Sequence, residues 1–269
     1  MDPMGNFPLK GYMLPLSPKG KASVIDAPPW YYGGEILHII FRADPARVAP
    51  FLPPPLEPGP EPGRGVVWFT DWVSVSEATP DLAFVNPERA NYRECIVMLA
   101  CQYRGVPGYF VSGIWVDNDF TLLRGFVQGF PKKLARVYVT RLHELNPRVG
   151  GRRPGAKVKG ICEAYGQRIV EGSMTFTRSV KPGEVPPVKF YLMRHYPDIE
   201  QPDKAVVHEI TAGKVADAQI AGAWAGEGEV AFFESPFEEL TDLGPIVAEG
   251  AFYFSLGFTI TGGEVIHRY

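Results

Sequence analysis

Short apolar runs separated by turns that contain glycine or proline constrain the fold of this chain more than any other feature. The clearest pair is residues 94–103 and 109–116, which flank the turn Arg-Gly-Val-Pro-Gly at 104–108. Two alternating runs joined by a few such residues predict an antiparallel β-hairpin. The 29 glycines and 27 prolines are typical of a strand-rich chain with many turns and disfavour a helical bundle.

The same pattern predicts about ten strands and a few short helices along the chain. Helices are expected after Asp44-Pro45, where an N-cap precedes a proline, and over residues 121–127. The expected fold class is mainly β, a β-rich α+β chain whose strands close into an antiparallel sheet or barrel. Residues 221–230, rich in glycine and alanine, give no clear prediction. The remaining predicted strands are residues 35–42, 66–73, 137–141, 157–165, 167–179, 188–194, 208–210, 214–233 with interruptions, and 252–260.

The strand at 94–103 has two faces, because successive side chains point to opposite sides of a sheet. Glu94 opens one face, which is otherwise apolar. A carboxylate at this position is either a charge at a strand end that faces solvent or a functional group that is turned inward. The face of Glu94 also holds Ile96, Met98 and Ala100, and the other face holds Cys95, Val97, Leu99 and Cys101.

Length and charge limit the possible classes of function. The 269 residues suit one large domain over 1–269, with residues 1–33 as an extended N-terminal segment. Hydrophobic residues make up 45% and charged residues 21% of the chain, which is an ordinary globular composition. The formal net charge of −3 provides no basic face, so we expect neither a nucleic-acid partner nor a membrane partner.

The cysteines and histidines indicate neither disulfides nor metal binding. Cys95, Cys101 and Cys162 are odd in number and lack a framework spacing, so they are expected as buried thiols in a reducing compartment. The five histidines are scattered without zinc-ligand spacing, and His38 is expected as a packed strand residue. No apolar run has the length of a signal peptide core or a membrane span, and the expected location is the cytoplasm.

Two adjacent lysines, Lys132 and Lys133, lie in the segment Gly-Phe-Pro-Lys-Lys-Leu-Ala at 129–135. Such a pair in a loop is usually solvated, because lysine is rarely buried. Pro131, however, has a fixed φ and favours an extended Phe130, which gives a stiff platform that can hold one lysine inward. Apolar surroundings disfavour the ammonium, and an uncharged amine attacks carbonyl groups to form a Schiff base.

This segment resembles the active-site motif of the acetoacetate decarboxylase family. The resemblance extends backward through Tyr109-Phe110 and residues 116–119 to Glu94, and more weakly from residues 41–44 to residues 264–266. It covers most of the chain, but only the part from 94 to 134 is specific. It implies the family's cone-like antiparallel β-barrel with a few short helices, a homo-oligomer, and a cavity that contains the catalytic lysine.

The resemblance also implies roles for individual residues and no cofactor. Lys132 corresponds to the Schiff-base lysine, Lys133 to a neighbour that helps to keep its amine uncharged, and Glu94 to an active-site glutamate that shuttles protons or orients water. Phe130 and Met98 are expected to desolvate the amine. Acetoacetate decarboxylase is itself the standard example of a lysine activated by desolvation or by another cation, so this expectation comes from the resemblance.

Two departures separate the chain from the decarboxylases. Gly34 stands before Glu35, where the decarboxylases carry an arginine that is thought to engage the substrate carboxylate. The segment Arg-Gly-Phe-Val-Gln at 124–128 replaces their Gly-Arg-Glu run. Gln128 resembles the amide of the family branch that performs aldol condensation and dehydration on pyruvate-like acids, and Tyr253 is the candidate for that branch's C-terminal aromatic proton donor. Alternatively, Gln128 is a helix-end amide and Tyr253 a core aromatic.

Three functions follow as hypotheses. The first is a Schiff-base lyase that acts as an aldolase-dehydratase on a small keto acid, with an aldehyde as a second substrate. The second is acetoacetate decarboxylase proper, which requires Arg124 or Arg93 to supply the missing positive charge. The third is a β-barrel binding protein that has kept the pocket and lost turnover.

Overall fold

A computed structural model describes residues 7–269, and these residues contain twelve strands and three α-helices. The helices are α1 (Pro45–Val48), α2 (Leu82–Val85) and α3 (Asp119–Gln128). The prediction of a mainly β chain with a few short helices is confirmed. The strands are β1 (Trp30–Arg42), β2 (Glu57–Pro58), β3 (Arg64–Ser76), β4 (Asn91–Tyr103), β5 (Val106–Val116), β6 (Lys132–Leu134), β7 (Arg136–Val139), β8 (Lys157–Ala164), β9 (Gln167–Ser179), β10 (Phe190–Pro197), β11 (Ala205–Phe232) and β12 (Val247–Arg268).

All of the strands belong to one sheet with the neighbour order β10-β5-β4-β3-β1-β12-β11-β9-β8-β7. Strand β10 pairs with β5 in parallel and with β11 in antiparallel orientation, so the pairing of seven strands returns to its starting point. Strand β2 pairs with β4, and β6 pairs in parallel with β5. The predicted hairpin at 94–116 is the pair β4 and β5.

Alternation along β1, β3 and β4 divides the apolar residues between two clusters, one on each face of the sheet. We name them the Ile96 cluster and the Val97 cluster. The two faces predicted for strand 94–103 are confirmed by this division, as is the burial of the three free cysteines. The Ile96 cluster includes Ile36, Val66, Trp68, Trp72, Ile96, Met98 and Ile114, and the Val97 cluster includes Leu37, Ile39, Val67, Phe69, Cys95, Val97 and Cys101.

The expected extended N-terminal segment is shorter than predicted, and the glycine-rich region, for which the sequence gives no clear prediction, is part of a strand. Residues 1–6 of the expected extended segment lie outside the described residues, and β1 already begins at Trp30, which is buried. Residues 221–230 lie within β11 and pair with both β9 and β12, with register shifts such as the one between Ala221 and Trp224. Between residues 7 and 269, every helix is too short or too polar to cross a membrane.

Candidate active site

Helix α3 and strand β6 bring Lys132 to the Ile96 face of the sheet. The helix begins after Asn118, whose side chain accepts a hydrogen bond from the Phe120 backbone, and it ends at Gly129. The chain then forms β6, in which Lys132 pairs with Ile114 of β5. Lys132 therefore shares the face of Ile114, a member of the Ile96 cluster.

The amine of Lys132 is enclosed by polar partners and aromatic rings. Only 7% of the residue is exposed. Its Nζ donates to Thr121 Oγ1 at 2.7 Å and to Glu94 Oε2 at 3.2 Å. The same nitrogen lies 5.3 Å from the ring centre of Tyr92 and 5.7 Å from that of Phe130. This arrangement gives a buried amine a proton acceptor and a fixed direction.

Glu94 is held from both sides. It is 5% exposed, and its second oxygen, Oε1, accepts a hydrogen bond from Trp72 Nε1 at 2.9 Å. Burial, followed by the charge of Glu94, raises the pKa of the neighbouring Tyr92 well above its ordinary value. The Tyr92 phenol therefore stays protonated at neutral pH, beside a carboxylate that is turned into the protein rather than toward solvent.

A cavity of about 50 Å³ lies at Lys132. At about 10–15 Å³ for each water, this is room for only a few atoms. Glu94, Gln128 and Lys132 provide polar groups in its wall, and among residues 7–269 Lys132 is the one cationic side chain that lines it. Its aromatic wall consists of Tyr32, Trp68, Trp72, Tyr92, Phe130, Phe190 and Phe258.

Of the predicted pocket residues, Gln128 and Phe130 line this cavity. Gln128 is the last residue of α3, and its Nε2 donates to the Arg124 carbonyl at 3.3 Å. Phe130 packs edge-on against Phe190 at a ring distance of 5.7 Å. Met98 is fully buried in the Ile96 cluster but does not line the cavity.

Comparisons with known proteins show the family of the chain. The sequence profile of the acetoacetate decarboxylase (ADC) family matches residues 13–269. The chain belongs to the acetoacetate decarboxylase family. Acetoacetate decarboxylase from Acidiphilium cryptum is 22% identical to it over 260 residues, which are 96% of this chain and 95% of that protein.

Two solved structures are more similar to this family member. The enduracididine biosynthesis enzyme MppR in complex with pyruvate is 30% identical, with a TM-score of 0.89, covering 97% of this chain and 99% of MppR. An acetoacetate decarboxylase-like enzyme from Sphingomonas wittichii RW1 is also 30% identical, with a TM-score of 0.90, covering 97% of this chain and 100% of that enzyme.

The structure does not bring Lys133 to the cavity of this family member. Because side chains alternate along β6, Lys133 shares the face of Trp115. Its Nζ donates to Glu238 Oε2 at 2.8 Å, and Trp115 Nε1 donates to the other oxygen of Glu238 at 2.9 Å. The Lys133 side chain is 43% exposed, so solvent and Glu238 screen its charge from Lys132.

Tyr253 also lies away from Lys132. It belongs to the Val97 cluster, and Arg152 lies over its ring at 5.0 Å. Burial, followed by the charge of Glu35, raises the pKa of its phenol. The even-numbered residues of β12 face the opposite side. Among the aromatic residues of this strand, Phe258 is the one that lines the cavity.

Tyr253 lines a larger cleft in the described part of the chain, with a volume of about 550 Å³. Four charged groups of this cleft form two ion pairs. Arg141 Nη2 lies 2.9 Å from Asp71 Oδ2, and Arg152 pairs with Glu35. Since the cleft holds no buried amine beside a carboxylate, the smaller cavity at Lys132 is the better candidate for the chemistry of this family.

The two arginines considered as replacements for the decarboxylase arginine have other partners. Arg93 lies within 3.9 Å of both Asp71 and Asp117 on the face opposite to Glu94. Arg124 is buried, and its Nη1 donates to Ser74 Oγ at 2.6 Å and to the Tyr32 hydroxyl at 3.1 Å. Arg124 therefore lies behind Tyr32 in the cavity wall, and Arg93 does not approach the cavity.

Sequence reasoning missed three residues of the site, namely Thr121, Trp72 and Tyr92. Thr121 was noted only as the start of a predicted helix, although its hydroxyl is the nearest partner of Lys132. Trp72 and Tyr92 are cross-strand partners in β3 and β4. The parity of Tyr92 with Glu94 was the available signal for Tyr92, because residues two apart in a strand share a face. Trp72 lies in another strand, so only the register places it beside them. Between residues 7 and 269, no three His, Cys, Asp or Glu side chains are grouped as metal ligands.

Proposed function

We propose that this family member is a lyase that forms a Schiff base between Lys132 and a small, pyruvate-like keto acid and catalyses aldol condensation and dehydration. The observation that carries the proposal is the buried amine of Lys132, 3.2 Å from Glu94 and 2.7 Å from Thr121, in a cavity sized for a few atoms. A nucleophilic amine, an acceptor for its proton and limited access of water are the requirements of imine chemistry.

The first step is formation of the imine. An ammonium cannot attack a carbonyl carbon, so one proton must leave Nζ, and Glu94 Oε2 is the acceptor that is in contact with it. The nitrogen then adds to the ketone carbon, and the ketone oxygen leaves as water after protonation. Glu94 returns the proton that this departure requires. Thr121 keeps Nζ directed into the cavity throughout these steps.

The protonated imine then acts as an electron sink. Loss of a proton from the adjacent methyl group, with Glu94 as the base, gives an enamine. The enamine carbon adds to the carbonyl carbon of an aldehyde, and the resulting hydroxyl leaves as water. A final hydrolysis releases the unsaturated keto acid and the amine. Glu94 acts in these steps through Oε2, because its other oxygen is bound by Trp72.

The charge pattern of the cavity supports an α-keto acid. In an imine of pyruvate, the carboxylate is bonded to the carbon that carries the cationic nitrogen. In an imine of acetoacetate, the carboxylate is one carbon further away. Because Lys132 is the one cation lining the cavity among residues 7–269, the closer carboxylate is stabilised more strongly. Gln128 in the same wall offers an amide to this carboxylate. MppR, which is 30% identical, is known in complex with pyruvate and with the condensation product of pyruvate and imidazole 4-carboxaldehyde.

Decarboxylation of acetoacetate is the second candidate. Curated relatives such as the Acidiphilium cryptum protein are acetoacetate decarboxylases, although their identity to this chain is only 22–24%. The buried Arg124 favours this function, because its guanidinium lies one side chain behind the cavity wall. A shift of Tyr32 would expose that charge to a substrate carboxylate.

Reduction by borohydride in the presence of single substrates distinguishes the candidates. The proposed function predicts an irreversible adduct with pyruvate and no release of carbon dioxide from acetoacetate. Carbon dioxide released from acetoacetate at a catalytic rate would establish the decarboxylase. The absence of an adduct with any carbonyl compound would leave a binding protein that has lost turnover.

We further propose that the seven strands with cyclic pairing form the cone-like barrel of the family, that residues 1–269 form one domain, and that the chain is a homo-oligomer. The pairing of β10 with both β5 and β11 supports the barrel. Light scattering coupled to size-exclusion chromatography tests the last proposal, and a mass equal to that of one chain would overturn it.

A further inference from the structure

A close approach between β1 and β3 shapes one wall of the cavity. Gly34 pairs with Trp72 across these strands. A Cβ atom at position 34 would lie 2.4 Å from Trp72 Cε3 and 2.5 Å from the Asp71 carbonyl oxygen. The adjacent Gly33 differs, because its nearest neighbour would be Val73 Cγ1 at an ordinary 3.8 Å. Position 34 thus admits only glycine while Trp72 stays where it is.

The indole of Trp72 occupies the space that Gly34 leaves. It is 3% exposed, and its ring packs edge-on against Tyr32 at 5.8 Å and against Phe258 at 5.6 Å. Tyr32 and Phe258 stack on each other at 4.8 Å. Three aromatic rings therefore form a continuous apolar wall beside Glu94, and the only polar atom that the indole contributes is the N–H bound to Glu94 Oε1.

We propose that Gly34 and Trp72 act together as a positioning and specificity-determining pair. Gly34 makes room for the indole. The indole N–H fixes Glu94 so that its other oxygen faces Lys132, and the indole ring makes this wall apolar. The inference rests on the proposed function and deepens it, because it names the class of keto acid that the site accepts.

The accepted class is a keto acid with one carboxylate and an uncharged, apolar tail. A second carboxylate placed against Tyr32, Trp72 and Phe258 would lose its hydration without gaining a charged partner, because Tyr32 binds Arg124 and separates it from the cavity. Such burial is strongly unfavourable. Pyruvate and 2-oxobutanoate meet this requirement, whereas oxaloacetate and 2-oxoglutarate do not. A bulky tail is disfavoured as well, because the cavity measures about 50 Å³.

The positioning role follows from how a carboxylate is held. A buried carboxylate with one oxygen bound to a neutral N–H has a fixed plane, and its other oxygen then has a single direction. Loss of that N–H removes a hydrogen bond to the ionised form and so favours the protonated form. The effect should be visible in the pH dependence of imine formation and not only in its rate.

Three variants test the pair: Trp72→Phe, Gly34→Ala and, as a matched control, Gly33→Ala. The measurement is the rate of borohydride-trapped adduct with pyruvate between pH 5 and 9, with circular dichroism as the control for folding. Trp72→Phe should slow trapping ~10-fold or more, the effect of losing a hydrogen bond to a charged group. It should also move the acidic limb of the pH profile to higher pH. Gly34→Ala should slow trapping similarly, and Gly33→Ala should not.

The substrate class is tested on the unmodified chain. Pyruvate and 2-oxobutanoate should be trapped, and 2-oxoglutarate should be trapped at least ~10-fold more slowly, because its second carboxylate has no charged partner. Equal trapping of 2-oxoglutarate and pyruvate would overturn the specificity claim. Trp72→Phe needs no new space, so it tests the pair even if Gly34→Ala fails to fold. An unchanged rate and pH profile in Trp72→Phe would overturn the positioning claim. If the unmodified chain forms no adduct, the proposed function itself fails, and this inference fails with it.

Discussion

The two faces of the sheet at β6 carry the same residue type in opposite environments. On the Ile96 face, the side chains of Lys132 and Glu94 are 6% and 7% exposed. On the Val97 face, the Lys133 side chain is 43% exposed and pairs with Glu238. One peptide bond separates the two lysines, and the alternation of the strand separates their environments. In this chain, strand alternation places the second lysine on the face opposite to the first, outside the cavity.

The energetic consequences of the two ion pairs differ accordingly. Removal of one partner of a buried pair leaves an uncompensated charge and typically destabilises a protein by about 3–5 kcal/mol. A pair with an exposed member contributes roughly 0–1 kcal/mol. Variants on the Ile96 face should therefore have large effects on both activity and stability, and variants on the Val97 face should have small ones.

The largest expected effect is that of Lys132→Ala. This variant should abolish adduct formation with pyruvate, because Lys132 is the one lysine bound to Glu94 among residues 7–269, while Lys133→Ala should form the adduct at close to the unmodified rate. Trapping by borohydride followed by intact-mass measurement checks both. Loss of the adduct in Lys133→Ala alone would reverse the assignment of the two faces.

The next largest effect on activity is expected for Glu94→Gln. It keeps the shape and the hydrogen bond from Trp72 but removes the proton acceptor of Lys132, so turnover should fall by about 10²–10⁴, the usual contribution of general acid–base catalysis. The comparison on the other face is Glu238→Gln, which should leave turnover unaffected. Steady-state rates of the two variants with pyruvate and an aldehyde measure the contrast, and equal rates would remove the catalytic role of Glu94.

His38 makes the stability of the folded chain depend on pH. It accepts a hydrogen bond from Trp68 Nε1 at its Nδ1, 2.8 Å away. Burial, followed by the charge of Arg64, lowers the pKa of His38 from 6.5 to about 3. The folded state thus resists protonation that the unfolded state accepts below pH 6.5. The contribution of neutral His38 to the free energy of unfolding should be fully present above that pH and should be lost as the pH drops toward 3.

The size of this loss is up to several kcal/mol, at about 1.4 kcal/mol per pH unit. Urea unfolding at pH 7, 5 and 4 measures it. His38→Gln should reduce the slope of stability against pH in this range, whereas the same change at the exposed His143 should not. Identical slopes for His38→Gln and the unmodified chain would show that His38 does not set the acid sensitivity.

Thr121→Val should have the smallest effect of the Ile96-face variants. It removes the nearest hydrogen-bond partner of Lys132 Nζ at nearly constant volume, and loss of about 1.4 kcal/mol would slow imine formation roughly 10-fold. Thr121→Ser, which keeps the hydroxyl, is the matched control. A rate in Thr121→Val equal to that of the control would show that Glu94 alone positions the amine.

Lys133→Ala should change the unfolding free energy least of all, by less than about 1 kcal/mol, because the pair with Glu238 is partly exposed. Equilibrium unfolding in urea detects a difference of this size against the unmodified chain. A loss above about 2 kcal/mol would mean that the pair is not screened by solvent in the way its exposure implies.

Much of the fold could be predicted because local pattern and burial agree. The alternation at 94–103 identified both faces of β4, and the runs at 35–42 and 66–73 lie within β1 and β3. Residues 221–230 could not be placed, since a segment of alanine and glycine has no apolar period and the register shifts in β11 interrupt any alternation. Its strand conformation comes from pairing with β9 and β12.

The candidate site was predictable only where the motif fixes it. Lys132, Gln128 and Phe130 lie within a few residues of one another and meet at the cavity. Tyr253 could not be assigned a face, because Phe252, Tyr253 and Phe254 are three consecutive aromatics and only the register with β1 decides which of them point inward. The contacts of Lys132 with Glu94 and of Glu94 with Trp72 join residues 38 and 22 positions apart. Such contacts depend on strand pairing that no local pattern specifies.

Peptide mapping of the borohydride-reduced pyruvate adduct tests the central claim most directly. The account predicts that a single modified peptide carries the reduced imine on Lys132, with Lys133 in the same peptide unmodified, and that fragment ions separate the two positions. Modification of Lys133 or of another exposed lysine in preference to Lys132 would contradict the account, because the buried amine beside Glu94 would then not be the nucleophile.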